Sequence, residues 1–182
     1  MEDLLILVDE NDRETDYATK DMIHRLGLLH RAFSVLLFNV RNNKILIQKR
    51  ASGKYHSGGL WTNSCCSHPR KGESLLDAVK RRIQEELGVV LSTTLVGEVQ
   101  ELGTFRYFAE FENCCENEID HVFWINVDLG PDELFPDPNE IEDIRWISMK
   151  ELALWLEYRP EDFTVWFPKV FLLVKSYYER RE

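Results

Sequence analysis

Residues 67–89 read SHPRKGESLLDAVKRRIQEELGV, and the stretch from Ser74 to Leu87 carries the clearest periodic signal in the chain. Leu75, Ala78, Val79, Ile83 and Leu87 recur at helical spacing and would share one buried face. Ser74, followed three residues later by Asp77, resembles a helix-starting capping box, although Glu or Gln is the usual partner. Gly88 is a natural stop, because glycine takes the left-handed conformation that ends helices. The spacing therefore predicts a helix over 74–87. On its other side Arg82, Glu85 and Glu86 stand at i, i+3 and i+4 and share a face. Two readings fit them. Arg81–Glu85 and Arg82–Glu86 can be i,i+4 ion pairs on a solvated face. Equally, the carboxylates can hold Mg²⁺, which takes one or two carboxylates together with substrate phosphates.

Around this helix the chain alternates strand-like and helical segments. LLILV (4–8), RAFSVLLFNV (31–40) and KILIQKR (44–50) read as strands, the last two joined at the polar break Arg41-Asn42-Asn43. LWTNSCC (60–66) reads as extended, further strands fall near 96–110 and 118–128, and Arg145-Trp146-Ile147 adds a short one. MKELALWLEY and FPKVFLLVKSYYERR in the C-terminal third read as helices. The 182 residues suit one domain of mixed α+β class, helices flanking a mixed sheet. With 44% hydrophobic and 30% charged residues the composition is that of a globular protein. A net charge of −10 argues against a general nucleic-acid surface, while leaving room for a local cluster of cations on an anionic substrate. No apolar run approaches the roughly 20 residues of a membrane helix, and the acidic start MEDLLILVDEND lacks a secretory n-region. The cysteines form two adjacent pairs, Cys65-Cys66 and Cys114-Cys115. Adjacent residues are poorly placed to bridge each other, and the expected setting is a reducing cytoplasm.

The segment NSCCSHP (63–69) places two thiols beside a histidine and ends on proline. In extended chain, residues two apart share a face, so Cys66 and His68 point one way and Cys65 and Ser67 the other. A buried cysteine is most often a small hydrophobe, and that reading competes with a catalytic or metal-binding one. Glu116 and Glu118 would likewise share a face if their segment is a strand. His24 and His30 are six apart, which on one helix separates them by about 240°; they converge only if the chain bends, and Gly27 permits that. Three histidines and two glutamates make a donor set suited to a divalent transition metal, without any zinc-finger spacing. His56 and His121 have no assigned role on sequence alone.

The stretch 67–89 resembles the Nudix box, G-x5-E-x7-R-E-U-x-E-E-x-G-U with U apolar. It matches at Glu73, Arg81, Ile83, Glu85, Glu86, Gly88 and Val89, and departs at Ser67, in place of the first glycine, and at Arg82, in place of a metal-binding glutamate. LHRAFSVLLFN (29–39), LWTNSCCSHP (60–69), CCENEID (114–120) and FTVWF (163–167), in that order, are similar to one Nudix-fold branch, type 1 isopentenyl diphosphate isomerase. The resemblance implies a Nudix-like α/β/α sandwich with a mixed central sheet, a single domain spanning 1–182. Residues up to about 29 would form an N-terminal segment closing over the site. It implies isomerisation of isopentenyl diphosphate to dimethylallyl diphosphate in isoprenoid biosynthesis, in the cytoplasm, by a monomer or homodimer.

By the same resemblance Cys66 and Glu118 are catalytic. Glu118, hydrogen-bonded to Tyr107, is expected to be the proton donor and Cys66 to take the other proton. His24, His30, His68, Glu116 and Glu118 would bind Zn²⁺ or Mn²⁺. Glu86 and the Cys66 carbonyl would hold Mg²⁺ on the diphosphate. Lys20, Arg50, Lys54 and Arg82 would contact that diphosphate, and Trp166 would lie over the hydrocarbon. Arg82 then exchanges a metal ligand for a phosphate ligand, for which its fork of donors is suited. Tyr107 and Trp166 are otherwise ordinary core aromatics in a chain with 12% aromatic residues. Two other readings compete: a Nudix hydrolase that finds another residue for the lost glutamate, and a metal-binding module on the same fold in which Cys66→Ser and Glu118→Gln are silent.

Overall fold

HRAFSVLLFN, residues His30–Asn39, is buried along almost its whole length, and a strand covered on both faces belongs in the middle of a sheet. The computed structural model describes residues 3–130 and 132–181, and this strand is its hub. The strands are Leu4–Val8 (β1), Glu14–Thr19 (β2), His30–Asn39 (β3), Lys44–Arg50 (β4), Trp61–Thr62 (β5), Cys65–Ser67 (β6), Gln100–Glu110 (β7), Cys115–Val127 (β8) and Ile141–Ile147 (β9). The helices are Lys20–Leu26 (α1), Leu75–Leu87 (α2), Leu91–Thr94 (α3), Met149–Tyr158 (α4) and Phe167–Glu179 (α5). β8 runs parallel to β3 along its full length, from His30 opposite Glu118 to Asn39 opposite Val127. The other edge of β3 is shared by β1, β6 and β4, all antiparallel. β7 pairs with β8 and β9 with β4, giving a mixed sheet.

Alternation along the strands sorts the core into two layers. Phe33, Val35 and Leu37 of β3, with Phe123 and Ile125 of β8, pack against Ala78, Val79, Ile83 and Leu87 of α2. Leu36 and Phe38, with Val122 and Trp124, pack against Leu152 of α4 and Phe167, Val170 and Val174 of α5. The result is the expected α/β/α sandwich. α2 begins at Ser74, whose hydroxyl accepts from the Asp77 N–H. Asp77 returns its carboxylate to the serine hydroxyl, so only half of the capping box forms.

Three stretches differ from expectation. The extended run at 60–66 is two short strands, because Asn63 and Ser64 bond through their side chains. Ser64 Oγ donates to the Leu46 carbonyl (2.6 Å) and accepts from the Leu37 N–H (2.8 Å). β9 starts at Ile141, extending the short strand expected at 145–147. β2 and α1 carry no clear period: β2 is mostly exposed, and α1 has seven residues. All four cysteines are free. Among the described residues no helix is long and apolar enough to cross a membrane.

Gly88 ends α2 at φ 69°, and a Cβ there would lie 2.8 Å from Phe135 Cβ. Gly88→Ala is expected to destabilise the fold by about 2 kcal/mol, from the left-handed backbone together with the clash. Urea unfolding measures it; a loss below about 0.5 kcal/mol would contradict the assignment.

Candidate metal centre and catalytic pocket

The faces of β3 and β8 that carry Leu36, Phe38, Val122 and Trp124 become polar toward one end. There they present His30, Ser34, Glu116, Glu118 and Asp120, all buried. Two further segments close on this end. Gly27, at φ 63°, terminates α1 and turns the chain, bringing the His24 ring to 5.2 Å from that of His30. His68 follows β6, its ring 4.9 Å from that of His30. Five donor atoms, from His24, His30, His68, Glu116 and Glu118, lie within 4.8 Å of one another. The bend that the sequence only permitted at Gly27 is the one the structure makes.

Whether these residues fit a metal is decided by where their lone pairs face. The Nδ1 atoms of His24 and His30 each donate to a backbone carbonyl, Lys20 O and Leu28 O, at 2.8 Å. Their Nε2 atoms therefore turn inward, as in metal-binding histidines whose other ring nitrogen is held by a carbonyl. His24 Nε2 is 3.2 Å and His30 Nε2 3.9 Å from Glu116 Oε2. These contacts lack hydrogen-bond geometry, so all three buried atoms are without a hydrogen-bond partner. His68 Nε2 lies 2.8 Å from Glu118 Oε1. Burial pushes the His68 imidazole down to about 4, which keeps it neutral at neutral pH. Burial would raise the Glu116 carboxyl, but the imidazoles of His24 and His56 hold it well below the usual range. At Glu118, burial and the Glu116 charge push upward, and His30 and His68 outweigh them. Two ionised carboxylates and inward-facing imidazole nitrogens fit a divalent cation.

Beside this cluster one pocket gathers the remaining expected residues: Cys66, Tyr107, Trp166, Arg50, Lys54, Arg82, Lys20 and Glu86 all line it. Cys65 lies on the other side of the sheet in the α2 core, as alternation requires. Burial pushes the Cys66 thiol up to about 12, against the pull of Arg50, so the thiol is protonated. Glu118, the other group expected to exchange a proton with substrate, lines the same pocket. Tyr107 faces Glu118 across the β7–β8 ladder, its phenol raised well above its usual value by burial and by Glu118. Trp166 donates through Nε1 to Asn63 Oδ1 (3.3 Å), while Asn63 Nδ2 holds the Cys65 carbonyl (2.5 Å). One asparagine thus fixes both the tryptophan and the strand that carries Cys66.

The cations stand at the other end. The Arg50 guanidinium lies 5.4 Å from the Trp166 ring, and Arg82 Nη2 is 2.5 Å from Glu86 Oε1. Both readings of the α2 face hold in part. The ion pairs form, but Glu86 is 3% exposed and belongs to the pocket. Arg50 Nε and Arg82 Nε are buried without partners, unused donors beside a pocket suited to an anion. Burial, and then Lys54, lower the Lys20 ammonium, a sign of crowded cations. Glu140, which carried no sequence signal, pairs with Lys54 and lies 3.4 Å from Arg82.

His56 was also without a sequence signal, being a lone histidine in a loop. It is buried, with Nε2 2.6 Å from Glu116 Oε1. His121 stands apart, bridging Asp12 (2.8 Å) and Glu101 (2.7 Å) and pinning the β1–β2 turn to β7 and β8.

Known proteins place the chain in a family. The NUDIX domain model matches residues 28–167, and the chain belongs to the Nudix superfamily. A Deinococcus radiodurans protein, DR0079, superposes with TM-score 0.67 at 19% identity, covering 86% of this chain and 90% of that one. A MutT protein from Methanosarcina mazei gives 0.62 at 18%, covering 81% and 94%. At these identities the likeness is one of fold. Within the superfamily the chain is a member of the isopentenyl-diphosphate Delta-isomerase family. It is 45% identical to the Photobacterium profundum isopentenyl-diphosphate Delta-isomerase over 93% of each chain. It is 42% identical to isopentenyl-diphosphate Delta-isomerase 2 of Aromatoleum aromaticum, over 91% of this chain and 83% of that one.

The Nudix helix is tied to its approach loop by Arg81, which donates from Nε and Nη2 to the two oxygens of Glu73 (2.7 and 2.8 Å). That hydrogen bond, set against partial burial and aided by the Arg70 N–H, holds the Glu73 carboxyl below its ordinary 4.5. A depressed folded value means the unfolded chain binds more protons, so the pair stabilises above pH 4.5 and fades as pH falls through the folded value. Glu73→Gln is expected to cost about 1 kcal/mol at neutral pH and much less near pH 3.5. Denaturant titrations at both pH values measure it, and an equal cost at both would contradict the pairing.

Proposed function

We propose that this protein interconverts isopentenyl diphosphate and dimethylallyl diphosphate, by adding a proton at one end of the allylic unit and removing one from the other. The observation that carries this reading is the placement of a thiol, Cys66, and a carboxylate, Glu118, in one pocket beside four cations, Lys20, Arg50, Lys54 and Arg82. Protonating an unactivated double bond generates a tertiary carbocation, which water would trap. Both groups are therefore needed in a buried site, each within reach of the substrate. In one direction the Cys66 thiol gives its proton and Glu118 takes one; in the other the roles exchange, as microscopic reversibility requires. Tyr107 supports Glu118 with a neutral phenol. The Trp166 face stabilises the cation by roughly 0.5–2 kcal/mol.

Lys20, Arg50, Lys54 and Arg82 bind the diphosphate, with Glu86 and the Cys66 carbonyl holding Mg²⁺ against it. His24, His30, His68, Glu116 and Glu118 hold Zn²⁺ or Mn²⁺. Bound there, that ion supplies positive charge that orders the two carboxylates and tunes the acidity of Glu118. The chain acts as one catalytic unit, with α1 closing over the site through Lys20 and His24. It works in the cytoplasm, in isoprenoid biosynthesis, on a small diphosphate and without nucleic acid.

Incubation with isopentenyl diphosphate and Mg²⁺ in D₂O, followed by NMR, tests the reading. Deuterated dimethylallyl diphosphate should form, and Cys66→Ser and Glu118→Gln should each slow it by about 10²–10⁴-fold or more. Unlabelled, unchanged substrate would sink the isomerase. Release of inorganic phosphate in its place would favour a Nudix hydrolase.

A further inference from the structure

The two oxygens of Glu116 are treated differently. Oε1 is 2.6 Å from His56 Nε2 and accepts from the Tyr55 hydroxyl at 3.4 Å. Oε2 has no hydrogen-bond partner and faces His24 and His30. A carboxylate torsion is intrinsically broad, so an unheld Glu116 would sample many orientations. We infer that His56 is a positioning residue for the metal centre, locking Glu116 so that Oε2 is presented to the ion. The inference rests on the reading of the His/Glu cluster as a metal site.

His56 is itself held rigidly. Its ring stacks on Phe111 with centroids 4.4 Å apart and planes 19° apart, and meets Trp166 edge-on at 5.8 Å. Nδ1 lies 3.1 Å from Ser57 Oγ, and Arg50 Nη2 donates to the His56 carbonyl at 3.4 Å. The loop that carries it is tightly folded. A Cβ at Gly58 would lie 2.6 Å from the Ser52 carbonyl oxygen, and the Lys54 N–H donates to the Ala51 carbonyl. The same turn delivers Lys54 to the diphosphate end of the pocket. Ordering residues 51–59 therefore sets a phosphate contact and a metal ligand together. A histidine buried only for packing would stack on Phe111 just as well; it would not need its Nε2 2.6 Å from one oxygen of a carboxylate whose other oxygen is unpaired.

Titration of the chelator-stripped full chain with Co²⁺, read from its visible absorption, separates these roles without any turnover measurement. His56→Ala should weaken Co²⁺ binding by about 10–100-fold, the usual effect of losing an outer partner of a metal ligand. His56→Phe keeps an aromatic ring against Phe111 but has no donor, and should be as weak. His56→Gln restores an N–H and should recover much of the affinity. Thermal melting of each stripped variant checks that the fold is intact. Wild-type affinity in a folded His56→Phe would overturn the inference. His24→Ala is the control for the underlying site. If wild type binds no Co²⁺ that His24→Ala removes, the metal reading fails first and this inference falls with it.

Discussion

Two carboxylates on one face of one strand, ionised and buried, are the constraint to which the rest of the site answers. Glu116 and Glu118 are 3% and 6% exposed, and their charges repel. An unpaired buried carboxylate costs several kcal/mol or shifts to its neutral form. Here both are held low by imidazoles, from His24 and His56 on one and His30 and His68 on the other. The two Nε2 atoms of His24 and His30 and the Oε2 of Glu116 still lack hydrogen bonds. A divalent cation at their centre would satisfy all of them at once, and would account for so many polar groups meeting in a region the sheet could have filled with apolar ones.

The fold brings this about with few devices. Parallel register places His30 opposite Glu118 and lets the face of β3 and β8 run from aromatic core into polar site without a break. β6 adds Cys66 and His68 to that face, and the turn at Gly27 adds His24. On the other side of the sheet α2 fills the core with one face and sends Arg82 and Glu86 to the pocket with another. Glu140 links this helix to the loop of Lys54, and its neighbourhood is tied by backbone bonds from Asp137 N to Glu86 O and from Ala51 N to Glu140 O. Glu140 thus places a negative charge between two cations, Lys54 and Arg82, that would otherwise repel.

What the sequence revealed follows from period and local chemistry. The apolar spacing from Leu75 to Leu87 and the glycine after it specify α2, and alternation correctly separates Cys66 from Cys65. The Nudix-box residues and the TN-S-x-C-x-HP segment marked the pocket because each is a local pattern. His56 and Glu140 escaped because their roles depend on loops folded against distant elements, and a lone polar residue in a loop has no period. β2 and α1 escaped for a related reason: ETDYAT is too polar and α1 too short for a periodic signal, although α1 carries both Lys20 and His24.

The most direct test of this account is crystallographic. Crystals of the protein with bound Mn²⁺ or Zn²⁺, measured at the absorption edge of that metal, should show one strong anomalous peak within bonding distance, about 2.0–2.3 Å, of donor atoms from His24, His30, His68, Glu116 and Glu118. Hydrogen-bonded His–Glu pairs at that position, with no peak among them, would contradict the claim that a cation organises the site.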